Sequence, residues 1–188
     1  MSLDLSLIKK LITILLTFFH SLSGNANSDY VELLKQNNKL IFIRHALAPG
    51  NGDPDNFDIF DCSTQRNLNS VGREQSIELG KFFDTNNISI DLVLSSEWCR
   101  CKETANLAFK KFETFNALNS FYDPKFYKNK KPQLEKLINF IKNLENEGNI
   151  VFVTHYVVIA AIFGQAVTSG EILIADRNFN AVGRIKDY

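Results

Sequence analysis

The sequence predicts an α/β protein with three layers, α/β/α, around a mostly parallel central sheet. Short apolar runs typical of buried strands begin near Leu40, Ile90 and Ile150, and segments with helical spacing of apolar residues lie between them. Strands that alternate with helices favour a parallel sheet covered on both faces. The 188 residues are enough for one such domain. Acidic and basic residues balance at 21 each, so we expect no nucleic-acid partner.

The first residues have the layout of a secretory signal peptide. The basic pair at 9–10 precedes the apolar stretch 11–19, which is too short to span a bilayer, and small or polar residues follow it. We therefore expect a signal peptide at 1–26 and a single mature domain at 27–188, with no stable membrane insertion after the signal is removed. The expected location is periplasmic or secreted. The alternative is an amphipathic N-terminal helix packed on the domain.

The first predicted strand, 40–43, delivers Arg44 and His45 to the carboxyl edge of the sheet, where α/β enzymes keep their chemistry. The next segment, 46–67, is rich in Pro, Gly, Asp and Asn, which predicts a long functional loop. Ser70 is expected to cap the helix that follows. The apolar residues expected to dock this helix are Ile77, Leu79, Phe82 and Phe83.

The rest of the chain alternates strands and helices. The predicted elements are a strand at 90–94, a helix at 96–111, an irregular stretch at 115–131, a helix from Pro132, a strand at 150–154, a helix at 156–165, and a pair of strands at 171–175 and 181–185. Proline suits the start of a helix because its missing N–H would have no partner there. Gly148 is expected to end the helix that Pro132 begins.

Four cationic or nucleophilic side chains are expected to meet at one edge of this sheet. Arg44 and His45 follow the first strand, Arg100 lies about one helical turn beyond the second, and His155 follows the third. Arginine binds phosphate through forked hydrogen bonds, and imidazole is partly neutral and nucleophilic near pH 7. Singly, each residue has an ordinary structural explanation, such as a salt bridge or a buried histidine. Together they predict a pocket for a phosphoryl group.

Four sequence segments resemble, in order and spacing, the motifs of the histidine phosphatase superfamily, also called phosphoglycerate mutase-like. They are IFIRHALAPG, LNSVGREQSIELG, LSSEWCRCKETA and VFVTHY, and the resemblance covers nearly all of the chain from Lys39 onward. It implies the phosphoglycerate mutase-like fold and an exported, bacterial-type member of branch 1. Two positions depart from the family pattern. Ala46 replaces the usual glycine, and Tyr156 follows His155 where glycine is common, so Tyr156 either narrows the pocket or points into the core.

The resemblance implies that His45 is the nucleophile, forming a phosphohistidine that water later hydrolyses. Arg44, Arg100 and a protonated His155 would hold the phosphate. Because these cations already face the phosphate, we expect no metal and no other cofactor. The attacking nitrogen of His45 must be neutral, so its other ring nitrogen is expected to donate to a backbone carbonyl.

A carboxyl group near the scissile oxygen would protonate the leaving alcohol. Asp53, in the loop after His45, is the first candidate and Asp123 the second, although either can simply cap a turn. Asn51 and Arg66 are candidate substrate-binding residues. For Arg66 the alternative is a salt bridge within the loop.

The sequence holds three cysteines, Cys62, Cys99 and Cys101, and an oxidising location favours pairing two of them. A bridge from Cys62 to either of the others would tie the long loop to the segment that carries Arg100. Metal binding is the competing interpretation. The single residue between Cys99 and Cys101 does not match the usual zinc spacing.

These observations predict an exported phosphomonoesterase that acts on a phosphorylated small molecule or an envelope glycan. A mutase and a phosphohistidine protein phosphatase share the chemistry, but the expected export disfavours both. From a different class, a non-catalytic phosphate-binding module would keep the cationic pocket. Binding alone, however, would not require the nucleophile His45.

Overall fold

The computed structural model describes residues 26–188, so the predicted signal peptide lies, apart from its last residue, outside the described part of the chain. Within that part, five helices flank a six-stranded sheet. The helices are α1 (Ala26–Lys35), α2 (Ser70–Thr85), α3 (Cys99–Phe109), α4 (Lys130–Lys142) and α5 (Tyr156–Phe163). The strands are β1 (Leu40–Arg44), β2 (Leu92–Ser95), β3 (Glu113–Thr114), β4 (Ile150–Thr154), β5 (Ile172–Ala175) and β6 (Ala181–Ile185).

The sheet has the order β3-β2-β4-β1-β5-β6. The strands β1 to β4 pair in parallel, whereas β5 runs antiparallel to β1 and β6 antiparallel to β5. This confirms the predicted α/β fold with a mostly parallel sheet. Because β1 and β4 are neighbours and Arg44 lies opposite Thr154, the residues that follow these strands, His45 and His155, meet at the same edge.

The apolar side chains of the central strands alternate between two buried layers, as the period of two in a strand requires. Ile41 and Ile43 pack in the layer with α1, α2 and α3. Leu40 and Phe42 pack in the layer with α4 and α5. Helices therefore cover both faces of the sheet, and loops cross its carboxyl edge. No helix among the described residues is both long and apolar enough to cross a membrane.

The cap of α2 differs from the prediction. Asn69, not Ser70, is the cap, because its side-chain oxygen accepts the N–H of Gly72 at 2.8 Å, and Ser70 is the first helical residue. Gly72 itself is required by packing, since a Cβ there would lie 2.1 Å from the carbonyl oxygen of Leu47. The start of α2 is thus pressed against the loop that follows β1.

The bounds of α4 also differ from the prediction. The helix begins at Lys130, so Pro132 lies within its first turn and not at its first position. It ends at Lys142 with Asn143 as the cap, well before Gly148. Gly148 serves a different purpose, because a Cβ there would lie within 2.1 Å of the Asp91 carboxyl group. The helix α1 and the short strand β3 were not predicted, and the other elements agree with their predicted bounds to within a few residues.

Within residues 26–188, three short 3-10 helices lie in the loops above the sheet. They cover Cys62–Thr64, Asn116–Leu118 and Pro124–Asn129. The first belongs to the long loop predicted at 46–67, and the other two belong to the stretch predicted to be irregular at 115–131. Both loops cross the carboxyl edge and form the walls of the site.

Candidate active site

All eight candidate residues from the sequence line one pocket at the carboxyl edge of the sheet. They are Arg44, His45, Asn51, Asp53, Arg66, Arg100, Asp123 and His155. The pocket has a volume of about 80 Å³. Sites that enclose drug-sized ligands are larger, at roughly 300–1,000 Å³. This pocket therefore suits a group the size of a phosphate.

His45 sits at the floor of the pocket and is buried. Its Nδ1 lies 2.8 Å from the carbonyl oxygen of Ala46, and since a carbonyl can only accept, Nδ1 carries the proton. This confirms the expected contact with a backbone carbonyl. On the other side of the ring, Nε2 accepts from Nε of Arg100 at 3.2 Å. Burial, and then the charge of Arg100, lower the pKa of His45 well below its usual value. His45 is thus neutral, with a lone pair on Nε2.

Arg100 is buried beside His45 and is held by Asp53. Its Nη1 donates to Asp53 Oδ1 at 2.7 Å, and its Nη2 donates to Oδ2 at 3.2 Å. The backbone N–H of Arg66 and the indole N–H of Trp98 each donate to the same carboxylate, at 3.0 Å. Burial alone raises the pKa of Asp53, but the hydrogen bond and the charge of Arg100 outweigh burial and lower it.

These contacts correct the prediction that Asp53 is the first candidate for the proton donor. A carboxylate whose pKa is lowered, and whose two oxygens receive four donors, has no proton to give at neutral pH. Asp53 instead fixes the direction of the Arg100 guanidinium. The loop that follows His45 therefore folds back, and Asp53 within this loop positions Arg100 beside His45.

Arg44 and Arg66 supply positive charge without ion-pair partners among residues 26–188. Arg44 donates from Nη1 to the carbonyl of Val167 at 3.0 Å, and its buried Nε has no hydrogen-bond partner in the described chain. Arg66 donates to the carbonyls of Gly52, at 2.8 Å, and Ala48. These contacts replace the loop salt bridge considered for Arg66. Burial lowers the pKa of both arginines, and each remains a fixed cation.

His155 lies opposite His45, with ring centroids 5.4 Å apart. Its Nε2 is 3.0 Å from Oγ of Ser96 and 3.5 Å from Sγ of Cys101. Burial, and then Arg100, lower the pKa of His155 well below its usual value, which disfavours its protonated form in this environment. The third positive charge in the pocket comes from Arg66. Because the Ser96 hydroxyl donates to Oδ1 of Asn119 at 3.1 Å, its oxygen is left to accept a proton from Nε2 of His155.

The remaining candidates lie at the pocket mouth. Asp123 is half-buried and caps the 3-10 helix Pro124–Asn129, with Oδ1 accepting the N–H of Lys125 at 3.0 Å. Asn51 is exposed between two glycines of positive φ, Gly50 and Gly52. Of the two orientations considered for Tyr156, the structure shows the one that narrows the pocket. Tyr156 lines the mouth and is 36% exposed.

A disulfide ties the wall of the pocket together. Cys62 is bonded to Cys99, one of the two partners considered, and Cys99 immediately precedes Arg100. Cys101 is free and buried, and burial raises the pKa of its thiol to about 12. Gln65 reinforces the same joint, because its side-chain oxygen accepts the N–H of Cys99 at 2.9 Å. Residues 26–188 contain no group of three or more His, Cys, Asp or Glu side chains arranged to hold a metal ion.

Several residues in or beside the pocket were not predicted from the sequence, among them Ser96, Trp98 and Tyr122. Ser96 contacts His155, and Trp98 contacts Asp53, although both residues lie within a motif that the sequence displays. The serine-rich start of that motif was the available signal. Tyr122, by contrast, lies in a stretch without apolar periodicity, which gave no sign that its ring faces the pocket.

Comparisons with known proteins agree with this architecture. The family model of the histidine phosphatase superfamily (branch 1) matches residues 40–120, which confirms the resemblance predicted from the motifs. Similar solved structures include one assigned as the phosphohistidine phosphatase SixA from Agrobacterium tumefaciens, at 15% identity and a TM-score of 0.58, covering 80% of this chain and 99% of that chain. Phosphoglycerate mutase from Thermus thermophilus is similar at 16% identity and a TM-score of 0.56, with the same coverage of 80% and 99%.

A mutant phosphoserine phosphatase from Entamoeba histolytica is similar at 18% identity and a TM-score of 0.52, covering 72% of this chain and 89% of that chain. At such identities the likeness shows the fold, which is phosphoglycerate mutase-like. A comparison with curated proteins found no match.

Proposed function

From the premise that residues 40–120 belong to the histidine phosphatase superfamily (branch 1), we propose that this protein is a metal-independent phosphomonoesterase acting through a phosphohistidine on His45. The observation that carries the proposal is the state of this one side chain. His45 is neutral, its Nδ1 proton is held by the Ala46 carbonyl, and its Nε2 lone pair lies among arginine side chains. That is the arrangement a histidine nucleophile needs.

In the first step, the Arg100 Nε–H turns from His45 Nε2 to a phosphoryl oxygen, and the freed Nε2 lone pair forms a bond to phosphorus as the bond from phosphorus to the ester oxygen breaks. Arg44, Arg66 and Arg100 stabilise the negative charge on the phosphoryl oxygens, and their fixed positions spare the reorganisation that water would require. His155 lines the same pocket beside His45. The positive charge that develops on the His45 ring faces the Ala46 carbonyl, which stabilises it.

The leaving oxygen takes its proton from Asp123, whose carboxylate pairs with Lys125 at 3.8 Å in the resting protein and must first take up a proton from solvent. Asp123 is the pocket carboxyl group that is left once Asp53 is committed to Arg100. In the second step, water gives a proton to Asp123 and attacks phosphorus, the P–N bond breaks, and the lone pair returns to Nε2. Phosphate leaves, and both side chains regain their starting protonation.

The proposed enzyme works outside the cytoplasm, in the periplasm or as a secreted protein, on a phosphorylated small molecule or an envelope glycan. The signal-like pattern at 1–26 and the Cys62–Cys99 disulfide support an oxidising destination. Cell fractionation combined with N-terminal sequencing tests the location. A mature N-terminus near Asn27 in the exported fraction supports export, and an intact Met1 in the cytoplasm contradicts it.

Hydrolysis of p-nitrophenyl phosphate in the presence of EDTA tests the activity, because its good leaving group reduces dependence on the acid. We expect turnover by the wild type and a loss of at least about 10³-fold in the His45→Ala variant. A rapid acid-free quench should also trap a phosphorylated form of the wild type, heavier by about 80 Da, the mass of one phosphoryl group, on the peptide that contains His45.

The two alternatives give different results in the same assays. A non-catalytic binder would bind inorganic phosphate but turn over none of the esters. A mutase would trap the phosphohistidine yet move the phosphate within a diol substrate and not release it. Near-normal turnover by a folded His45→Ala variant would show that His45 is not the nucleophile.

A further inference from the structure

The proposed function leaves open which part of a substrate lies beyond its phosphate. We propose that the leaving group carries a flat aromatic or heteroaromatic ring, which packs into a corner formed by Tyr122 and Tyr156 at the pocket mouth. This inference rests on the proposed function, because it places the ring relative to a phosphate held by Arg44 and His45.

Because the pocket is small, the leaving group of the substrate must lie at its mouth. At about 80 Å³, the pocket has room for a phosphoryl group but not for the rest of an organic ester. Its floor is formed by His45 and His155, both buried, so the ester oxygen must point outward. Whatever is attached to that oxygen meets the residues of the rim first.

Two exposed aromatic rings stand at this rim. Tyr122 is 51% exposed and Tyr156 is 36% exposed, and both line the pocket. Their ring centroids are 5.9 Å apart, with the planes inclined at 59°, so together they form an open corner. A flat ring placed there meets the face of one tyrosine and the edge of the other, which are the two arrangements that aromatic pairs prefer.

The other aromatic rings of the pocket are already occupied. Trp98 is buried, stacks on Phe57 at 5.0 Å between centroids and meets the edge of Phe126 at 5.6 Å. These three rings contact one another and form part of the pocket wall. The corner of Tyr122 and Tyr156 is different because large parts of both rings face solvent, where aromatic surface gains free energy from a partner.

The corner is coupled to the phosphate site through Arg44. The guanidinium carbon of Arg44 lies 5.3 Å from the centroid of Tyr156, within the range of a cation–π contact. This contact orients the Tyr156 ring beside a cation that binds phosphate. A ring joined to the ester oxygen directly or through one methylene group therefore starts within reach of the corner.

The segment that carries the stacking residue Tyr122 also carries the proposed acid, Asp123. Tyr122 directly precedes Asp123, and its backbone N–H donates to Oγ of the buried Ser120 at 3.3 Å. A leaving group stacked on Tyr122 consequently has its ester oxygen near the carboxyl group that we propose as its proton donor. Burial raises the pKa of Tyr156, so its ring stays uncharged at neutral pH.

Two non-hydrolysable phosphonates provide the test, because they separate ring recognition from reactivity. Benzylphosphonate carries a flat ring, and cyclohexylmethylphosphonate carries a saturated ring of similar size on the same linker. Binding is followed by the fluorescence of Trp98, the single tryptophan of the chain, which contacts Asp53 in the pocket. Inorganic phosphate provides the reference for the phosphate site alone.

We expect benzylphosphonate to bind the wild type about 3- to 10-fold more tightly than cyclohexylmethylphosphonate. The Tyr122→Ala variant should lose this preference, and the matched Tyr122→Phe variant should keep it. Both variants should bind inorganic phosphate with the affinity of the wild type, since neither change removes an arginine or a histidine of the phosphate site. A loss of phosphate binding in Tyr122→Ala would place Tyr122 in the phosphate site itself and overturn the proposal.

Equal affinity of the wild type for the two phosphonates overturns the inference, and so does a preference that survives in Tyr122→Ala. These outcomes are independent of the proposed function, which fails separately if p-nitrophenyl phosphate is not turned over. A wild type that prefers the saturated ring would indicate an aliphatic or sugar leaving group and would also reject an aromatic one.

Discussion

Both carboxylate oxygens of Asp53 accept hydrogen bonds from the Arg100 guanidinium, at 2.7 and 3.2 Å. They hold Nε of Arg100 beside Nε2 of His45. The contact joins residues 47 positions apart. Because the pair is almost fully buried, its geometry is much more constrained than that of a surface ion pair. Asp53 is thus a positioning residue for the nucleophile's closest cation.

Replacing this carboxylate should slow every substrate by the same factor. In Asp53→Asn, Arg100 loses its ionic anchor, and we expect kcat/KM to fall about 10²-fold. The measurement compares p-nitrophenyl phosphate with an alkyl phosphate, whose leaving group needs an acid. Equal losses support positioning, whereas a much larger loss on the alkyl phosphate would restore Asp53 as the acid.

Asp123→Asn should show the opposite pattern. Without the proton donor, we expect turnover of an alkyl phosphate to fall by about 10²-fold or more, while turnover of p-nitrophenyl phosphate changes little. The Asp123→Glu variant is the matched control, because it keeps a carboxyl group, and it should recover part of the alkyl phosphatase activity. Uniform losses in Asp123→Asn would assign Asp123 to binding and not to proton transfer.

The disulfide should stabilise the fold and order the pocket wall. Cys62 and Cys99 are 37 positions apart, and closing a loop of that length stabilises a protein by about 4 kcal/mol in the chain-entropy account, which is often an upper value. Reductant should therefore lower the Tm of the wild type and leave that of Cys62→Ser unchanged. We also expect kcat/KM to fall about tenfold, since the freed loop carries Asp53 and Arg66.

An unchanged Tm on reduction, measured with all three thiols shown to be free by mass spectrometry, would contradict a structural role for this bridge. Cys101→Ala gives a matched control, because Cys101 is the cysteine outside the bridge. Its response to reductant should equal that of the wild type.

The sequence predicted the parts of the site that follow directly from strand ends. Arg44, His45 and His155 are where the pattern put them, because a buried parallel strand has one carboxyl end and its next residues have little freedom. The fold class followed for the same reason, since alternating buried strands and helices admit few arrangements.

The loops were predicted less well, because their contacts join residues that are distant in sequence. Asp53 was expected to be an acid, yet its role depends on Arg100, which approaches it only after the sheet forms. Burial next to Arg100 likewise disfavours the charge expected on His155. Such effects depend on three-dimensional proximity and leave no periodic signal in the chain.

The two buried histidines make both activity and stability sensitive to acid. The pKa values of His45 and His155 are lowered in the folded protein, chiefly by burial, whereas the unfolded chain protonates them near their usual value of about 6.5. Below about pH 6.5 the unfolded state consequently binds more protons than the folded state. Stability from this source is present above that pH and is lost as the pH falls toward the folded-state values.

Each histidine should contribute up to about 1.4 kcal/mol per pH unit to this loss in the free energy of unfolding. Urea unfolding of the wild type and of His155→Asn, between pH 7.5 and pH 4.5, measures it, and we expect a shallower dependence in the variant. The acid limb of kcat/KM should likewise lie well below pH 6.5, because His45 stays neutral there. Arg100→Met removes the positive charge beside His45, so the acid limb of kcat/KM in this variant should move to higher pH. An acid limb that stays in place would show that burial alone lowers the pKa of His45.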